Sequence, residues 1–264
     1  MKTVLTIAGS DSSGGAGIQA DLKTFAALGV YGTCAITAVT AQDSQGVYAI
    51  HQLSPELVAA QIDAVARDIG VDAVKTGMLA SADIVRTVAA KVREHRLPNL
   101  VVDPVLAAKS GHRLLSEDGL AALKGELLPL CTVATPNIPE AEALAGRPLR
   151  TGDDLERAAR EIAALGAKAV VITGGHASGT EAVDLLYDGR EFRRFSAPRL
   201  ATGHGRGSGC TFASAIAAGL AQGLSVEQAV ARAKEYVTAA LERAFPMGKG
   251  PGPLHHFYRW WEGD

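Results

Sequence analysis

The sequence predicts an α/β fold with a mainly parallel β-sheet covered by helices on both faces. Three observations support this prediction. Short β-branched runs alternate with longer segments of helical apolar spacing, several of these runs are continuously apolar like buried parallel strands, and 47% of the residues are hydrophobic. The 264 residues contain no linker, repeat or low-complexity tract, so we expect a single domain over residues 1–264.

The elements follow from the pattern in chain order. The first strand is expected at 4–8, and a helix follows from about 15, where Ile18, Leu22 and Phe25 share one helical face. Further strands are expected at 35–39, 72–74, 100–102, 132–134 and 169–172. Helices are expected near 55–69, 81–95, 116–127, 139–145, 153–165, 208–222 and 226–244. Asp188-Gly189 between two alternating runs at 181–198 predicts an antiparallel hairpin.

The charge balance and the cysteines limit the classes of partner and compartment. A formal net charge of −2 without any basic block argues against a nucleic acid or an anionic membrane as the main partner. The three cysteines are too far apart along the chain to suggest a disulfide framework, which is typical of a reducing compartment. No apolar stretch reaches the roughly 18 residues of a membrane span, and we expect a cytoplasmic protein.

A glycine-rich segment at 203–211 is the most informative motif. Glycine alternates with other residues from Gly203 to Gly209, directly before a predicted helix. Successive backbone N–H groups and the positive end of the helix dipole favour an anion there, although a flexible surface loop is the simpler alternative. The chain lacks the G-x-x-x-x-G-K-[ST] string of P-loop nucleotide sites. Cys210 opens this helix, a setting that lowers a thiol pKa.

Two acidic residues follow predicted strands at the same edge of the sheet. Asp103 and Glu140 could each be structural, one in a turn before Pro104 and the other in the first turn of a helix. Because the carboxyl ends of parallel strands share one edge, both acids are expected beside the anion loop. Together they become candidate ligands of Mg²⁺ or of its bound water.

A dinucleotide-binding motif is a competing interpretation. Gly15-Ala16-Gly17 begins a G-x-G-x-x-G/A match after the first strand, and Asp43 ends the next strand, which would suit an NAD-dependent oxidoreductase. The stretch from Gly9 to Gly15 is longer than the tight turn of that motif, which weakens the match.

The segment IAGSDSSGGAGIQADLKT at 7–24 resembles the N-terminal signature of hydroxymethylpyrimidine/phosphomethylpyrimidine kinases. The similarity continues through 76–79, 103–105, 109–111, 135–141, 174–176, 207–211 and 252–257, and so extends along essentially the whole chain in order. It displaces the oxidoreductase interpretation. The resemblance implies a ribokinase-like three-layer sandwich, ATP and Mg²⁺, and two successive phosphoryl transfers to a small pyrimidine. It also implies a homodimer, and the charge balance leads us to expect no nucleic-acid or membrane partner.

The resemblance also implies roles for individual residues. Gln42 would hold the ring nitrogen and amino group of the pyrimidine through its amide, in a pocket lined by Gly9, Asp21 and Met78. Asn137 and Glu140 match an N-x-x-E element near Mg²⁺, with Asp103 beside it. Residues assigned to the anion hole and to catalysis are Gly207, Ser208, Gly209 and Cys210; residues assigned to the nucleotide are Asn137, Thr173, Gly175 and Arg206.

Three positions depart from the pattern that the resemblance implies, and a fourth distinguishes between substrates. Cys210 stands where ribokinase relatives usually carry a catalytic aspartate, and we hypothesise that a thiol suits transfer to an ionised phosphate monoester. Thr173 replaces a common lysine and Arg206 a common histidine, so Arg206 could supply a missing positive charge to the nucleotide. Gln42 favours the pyrimidine over the alternative substrate, a pyridoxal-type ring. A nucleotide-binding regulatory module is the non-enzyme alternative.

Overall fold

The computed structural model describes residues 1–107, 111, 113–174 and 179–261. Its strands form one nine-stranded sheet in the order β3-β2-β1-β4-β5-β6-β7-β8-β9, with β2, β1, β4, β5, β6 and β7 parallel and both edges antiparallel. The strands are β1 (Thr3–Asp11), β2 (Tyr31–Gln42), β3 (Val47–Gln52), β4 (Ala73–Thr76), β5 (Leu100–Val102), β6 (Val133–Ala134), β7 (Ala169–Ile172), β8 (Glu181–Tyr187) and β9 (Phe192–Pro198).

The helices lie where the apolar spacing predicts them, and several begin at side chains that cap the first turn. Ser54, Ser81 and Ser225, for example, each accept a hydrogen bond from a first-turn amide. The helices are α1 (Gly17–Ala27), α2 (Pro55–Asp68), α3 (Ala82–Glu94), α4 (Glu117–Ala122, continued by a π turn and a 3₁₀ turn), α5 (Ile138–Ala145), α6 (Gly152–Ala164), α7 (Ser208–Ala221) and α8 (Val226–Glu242). None of the helices in the described part of the chain has the length and apolar composition needed to cross a membrane.

The predicted three-layer α/β sandwich is confirmed. One apolar cluster joins the sheet to α2, α3, α4, α5 and α6, and a second joins the opposite face to α1, α7 and α8. The hairpin predicted around Asp188-Gly189 is also confirmed, since β8 and β9 pair antiparallel on either side of it. Strand β3 was not predicted, because the largely exposed side chains of Val47–Gln52 give no buried apolar pattern.

A buried ion pair joins the sheet to the helical layer formed by α1, α7 and α8. Lys75 of β4 and Asp21 of α1 are both fully buried, and the ammonium lies 3.0 Å from the carboxylate. Thr6 of β1 and Ser214 of α7 donate further hydrogen bonds of 2.6 and 2.7 Å to the two oxygens of Asp21. Burial alone lowers the pKa of Lys75, but the negative charges of Asp21 and Asp103 raise it above its usual value. Lys75 is therefore charged in the folded protein.

Helix α7 begins in close contact with the loop after β1. Gly207 precedes the helix in the left-handed conformation, with φ of 83°, and provides no side chain to cap the first turn. A Cβ atom at this position would lie 2.0 Å from the Gly15 carbonyl oxygen. Only glycine allows both the positive φ and this approach, so Gly207 fixes the start of α7 against the loop.

We predict that Lys75→Met lowers the free energy of unfolding by about 3–5 kcal/mol, because it leaves the Asp21 carboxylate buried without its counter-charge. Urea denaturation followed by circular dichroism measures this loss. Lys2→Met is the control, since Lys2 forms an exposed ion pair with Asp72 at 2.8 Å and should cost less than about 1 kcal/mol. Equal, small losses in both variants would contradict a structural role for the buried pair.

We predict that Gly207→Ala lowers the free energy of unfolding by about 2 kcal/mol or more, through the positive φ and the clash with Gly15. Gly209→Ala is the matched control. A Cβ at Gly209 meets no atom within 4 Å and its φ is not positive, so its unfolding free energy should change by less than about 0.5 kcal/mol. Chemical denaturation of both variants checks this; similar values would contradict the argument.

Candidate active site

A cleft with a volume of about 920 Å³ lies along the carboxyl ends of the parallel strands. This is the edge at which open α/β sheets bind ligands. Most of the predicted site residues line it: Gln42, Asp103, Asn137, Glu140, Thr173, Arg206, Gly207, Ser208, Gly209 and Cys210. The sheet topology therefore gathers residues from the ends of β2, β5, β6 and β7 around the N-terminus of α7.

The N-terminus of α7 provides the positive end of the cleft. Helix α5 has Asn137 as a side-chain cap, whereas the first turn of α7 has none, and Gly207, Ser208 and Gly209 all face the cleft. Amides without a side-chain cap and the helix dipole together favour an anion, and the Ser208 amide has only a long contact of 3.4 Å with the Gly205 carbonyl. This arrangement agrees with the predicted anion loop.

Asp103 and Glu140 provide the negative end of the cleft. Only 5% of Asp103 and 8% of Glu140 is exposed. Burial and repulsion from Asp103 raise the pKa of Glu140 to about 8, and burial raises the pKa of Asp103 to about 6 even though the Lys75 ammonium lies 3.9 Å away. Two buried carboxylates that resist joint ionisation are a donor set that a divalent cation would stabilise. The pair therefore fits Mg²⁺.

The capping box of α5 orients one of these acids. The Asn137 side chain accepts a hydrogen bond from the Glu140 amide at 3.0 Å, and the Glu140 carboxylate accepts one from the Asn137 amide at 2.9 Å. The sequence N-I-P-E thus places Glu140 for a local structural reason as well as at the cleft wall. The structural interpretation of Glu140 is confirmed, and its role as a metal ligand stays a prediction.

The expectation of a lowered thiol pKa at Cys210 is wrong. Burial raises the pKa of Cys210 to about 12, and the negative charges of Asp103 and Asp21 add to this effect. Lys75 acts in the opposite direction without overcoming it. The thiol is therefore neutral at physiological pH.

Gln42 lies at the end of β2, on the rim of the cleft. Its amide oxygen accepts a hydrogen bond of 3.0 Å from Thr40, which fixes the orientation of the carboxamide. Its backbone N–H donates to the Ser12 hydroxyl at 2.8 Å, which ties the strand end to the loop after β1. Gln42 is thus placed to offer an amide group to a ligand.

The other three predicted substrate residues do not surround the cleft with Gln42. The prediction that Asp21 lines the substrate pocket is wrong, because Asp21 is fully buried and its carboxylate is bound by Thr6, Lys75 and Ser214. Gly9 is buried against Met78, whose sulfur would lie 3.2 Å from a Cβ at Gly9. Met78 lines a separate depression of about 350 Å³.

The predicted nucleotide residues have different surroundings. Thr173 lines the cleft, and its amide donates to the Pro136 carbonyl at 2.9 Å. Arg206 also lines the cleft, but its guanidinium donates to the Asp11 carboxylate at 2.8 Å and to the Asp43 carbonyl. Gly175 lies outside the described residues.

Sequence reasoning missed basic residues that line the cleft, among them Arg199 and Lys234. Lys234 of α8 lines the wall, and its ammonium lies 2.9 Å from the Asp184 carboxylate. Asp184 in turn accepts a hydrogen bond from the Gly174 amide at 2.9 Å. Lys234 lies between the buried positions Ala233 and Tyr236 of α8. A lysine within a buried helical face is the sequence signal that could have indicated its position in the cleft.

Comparison with known proteins agrees with this geometry. The family model described as phosphomethylpyrimidine kinase matches residues 11–255. The chain is 50% identical over 262 residues to the hydroxymethylpyrimidine/phosphomethylpyrimidine kinase of Rhizobium meliloti, covering 98% of each chain. It is 51% identical over 254 residues to the thiamine biosynthesis bifunctional protein ThiED of Geobacter sulfurreducens, covering 96% of this chain and about half, 52%, of that protein.

A solved structure is similar along the same length. The ADP complex of Bacillus subtilis pyridoxal kinase is 43% identical with a TM-score of 0.90, covering 97% of each chain. The fold is thus shared by pyrimidine and pyridoxal kinases, while the family model and the two sequence relatives identify the branch. The chain belongs to the phosphomethylpyrimidine kinase family.

Proposed function

We propose that this protein transfers a phosphoryl group from ATP to the hydroxymethyl group of 4-amino-5-hydroxymethyl-2-methylpyrimidine, and a second one to the resulting monophosphate. The observation that supports this most is the placement of the uncapped α7 N-terminus opposite the Asp103–Glu140 pair in one cleft. Phosphoryl transfer needs donors for the charge on the moving group and ligands for a cation at the nucleotide. The similar enzyme from Rhizobium meliloti is named for both substrates.

The amides at Gly207, Ser208 and Gly209 act as the anion hole. As the bond between the γ-phosphorus of ATP and its bridging oxygen breaks, the substrate oxygen bonds to that phosphorus and ADP leaves. Negative charge on the three outer oxygens is then stabilised by backbone N–H groups that are already oriented. Because the transition state is loose, this stabilisation and the positioning of both substrates outweigh proton transfer.

Asp103 and Glu140 would hold Mg²⁺, which supplies charge neutralisation at the phosphates of ATP. In the free protein, burial raises the pKa of both carboxyl groups, and the negative charge of Asp103 raises the pKa of Glu140 further. Asn137 keeps Glu140 in place through the capping box. The Lys75 ammonium, 3.9 Å from Asp103, stabilises the ionised form of that carboxyl group. ATP as the donor is supported by the ADP complex of the similar Bacillus subtilis enzyme.

Cys210 suits the second transfer because its thiol is neutral. A phosphate monoester is already an ionised nucleophile and needs no base, and a carboxylate at this position would repel it. The alcohol of the first transfer loses its proton to solvent as the ester forms.

Gln42 decides between the proposed substrate and a pyridoxal-type ring. Its amide offers a donor and an acceptor, which match the amino group and ring nitrogen of an aminopyrimidine. A pyridine lacks that edge and would leave the amide partly unpaired, which is costly in a closed site. Pyridoxal phosphorylation remains the alternative, because the similar Bacillus subtilis structure is a pyridoxal kinase.

We also propose a cytoplasmic homodimer built from single-domain chains. The three cysteines are free, which suits a reducing compartment. The homodimer rests on the resemblance, and the single domain rests on the absence of a linker in the sequence.

We predict that purified protein with MgATP consumes ATP with hydroxymethylpyrimidine and with its monophosphate, and turns over pyridoxal at least about tenfold more slowly in kcat/KM. A coupled ATP-consumption assay with the three substrates in parallel measures this. Pyridoxal as the best substrate would overturn the substrate assignment and support the alternative. No turnover with any of the three would favour a regulatory nucleotide-binding protein.

We predict that Cys210→Asp slows transfer to the monophosphate at least about tenfold more than transfer to the alcohol, because a carboxylate beside Asp103 repels the phosphate. Cys210→Ser is the neutral control and should slow both transfers by similar factors. Separate initial rates with each pyrimidine check this. Equal effects of Cys210→Asp on both transfers would contradict the proposed role of the thiol.

A further inference from the structure

Arg206 lies where three chain segments meet, each of them distant from Arg206 in the sequence. Its guanidinium donates to the Asp11 carboxylate at 2.8 Å and to the backbone carbonyl of Asp43. Its side chain packs on Gly15, where a Cβ would lie 3.4 Å from the arginine Cδ. Its backbone N–H donates to the carbonyl of Gly252 at 3.2 Å. Arg206 thus joins the loop after β1, the turn after β2 and the C-terminal segment.

The C-terminal segment closes a second connection between the same parts. The Gly250 amide donates to the Ser44 hydroxyl at 2.9 Å, and the Gly252 amide donates to Nδ1 of His204 at 3.0 Å. The Gly252 carbonyl accepts from the Gly205 amide at 2.9 Å. The turn that contains Ser44 is therefore linked to the anion loop through Arg206 and through residues 250–252.

The guanidinium is committed within the protein. Only 11% of the Arg206 side chain and 3% of the Asp11 side chain is exposed, so the two charges compensate each other in a partly dry setting. Redirecting Arg206 to a phosphate would leave Asp11 buried without its counter-charge, which is costly. The observed contacts do not favour the role of a nucleotide cation that the sequence suggested.

Arg206 connects the two halves of the site, because its contact Asp43 lies beside one half and its neighbour Gly207 begins the other. Asp43 directly follows Gln42, which is placed to read the pyrimidine, and Gly207 directly follows Arg206 and begins the anion hole. We propose that Arg206 is a positioning residue that fixes the Gln42 turn relative to the anion hole. This inference rests on the proposed function, since a hydroxymethyl group held by Gln42 must meet the phosphoryl group at a set distance.

Arg206→Lys separates this role from a direct phosphate contact. Lysine keeps the positive charge but cannot form the two-pronged contact with Asp11 and the Asp43 carbonyl. We expect KM for hydroxymethylpyrimidine to rise about tenfold while KM for ATP stays within about twofold. Arg86→Lys is the matched control, because Arg86 forms an exposed ion pair with Asp83 on α3, and it should change neither constant.

Ser44→Ala weakens the connection between the turn after β2 and residues 250–252 without changing any charge. It removes the acceptor of the Gly250 amide and should raise KM for the pyrimidine in the same direction as Arg206→Lys. It also keeps the proposal testable if Arg206→Lys fails to fold. An unchanged KM for the pyrimidine in both variants, or a rise only in KM for ATP in Arg206→Lys, would overturn the positioning role.

Hydrogen–deuterium exchange of the unliganded protein gives a readout that does not depend on activity. Arg206→Lys should speed exchange of the amides of Gln45, Gly46 and Gly250 at least about tenfold over wild type, with Arg86→Lys unchanged. Unchanged protection of these amides would overturn the positioning role. If wild-type protein does not phosphorylate the pyrimidine, the proposed function fails, and the exchange result still decides whether Arg206 holds the turn.

Discussion

The charge on Lys75 is the constraint on which both the core and the site depend. A lysine in a fully buried position of β4 needs a counter-charge, which Asp21 of α1 supplies, and Thr6 of β1 and Ser214 of α7 in turn donate hydrogen bonds to the Asp21 carboxylate. Because these partners come from three different elements, satisfying the pair fixes how α1 and α7 dock on the sheet. The ammonium also lies 3.9 Å from Asp103, so the same charge extends to the wall of the cleft.

The cleft combines opposite charges that are held apart by the fold. The α7 N-terminus is positive because its amides are uncapped, and the Asp103–Glu140 side is negative because two carboxylates are buried together. A nucleotide with its cation would complement these charges, since its phosphates are negative and its cation is positive. This complementarity supports the proposed function, and carboxyl groups whose pKa is raised by burial are typical of functional sites.

The sequence predicted the buried strands, because β-branched runs report burial directly. It also placed both acids at one edge of the sheet, because they follow strand ends, and it marked the loop before α7 by its alternating glycines. It missed β3, whose exposed side chains carry no apolar period. It misplaced Asp21, since a motif gives a residue's position in the chain but not the partners that bury it. The pKa of the Cys210 thiol is raised and not lowered as predicted, because burial, which a local motif does not show, dominates there.

The central claim is that one cleft phosphorylates an alcohol and then the phosphate it has formed. Phosphorus NMR of wild-type protein with hydroxymethylpyrimidine and excess MgATP tests this most directly. Our account predicts that a monoester resonance appears first and then gives way to a diphosphate ester, with ADP formed at two equivalents per pyrimidine. A reaction that stops at the monoester, with one equivalent of ADP, would contradict it.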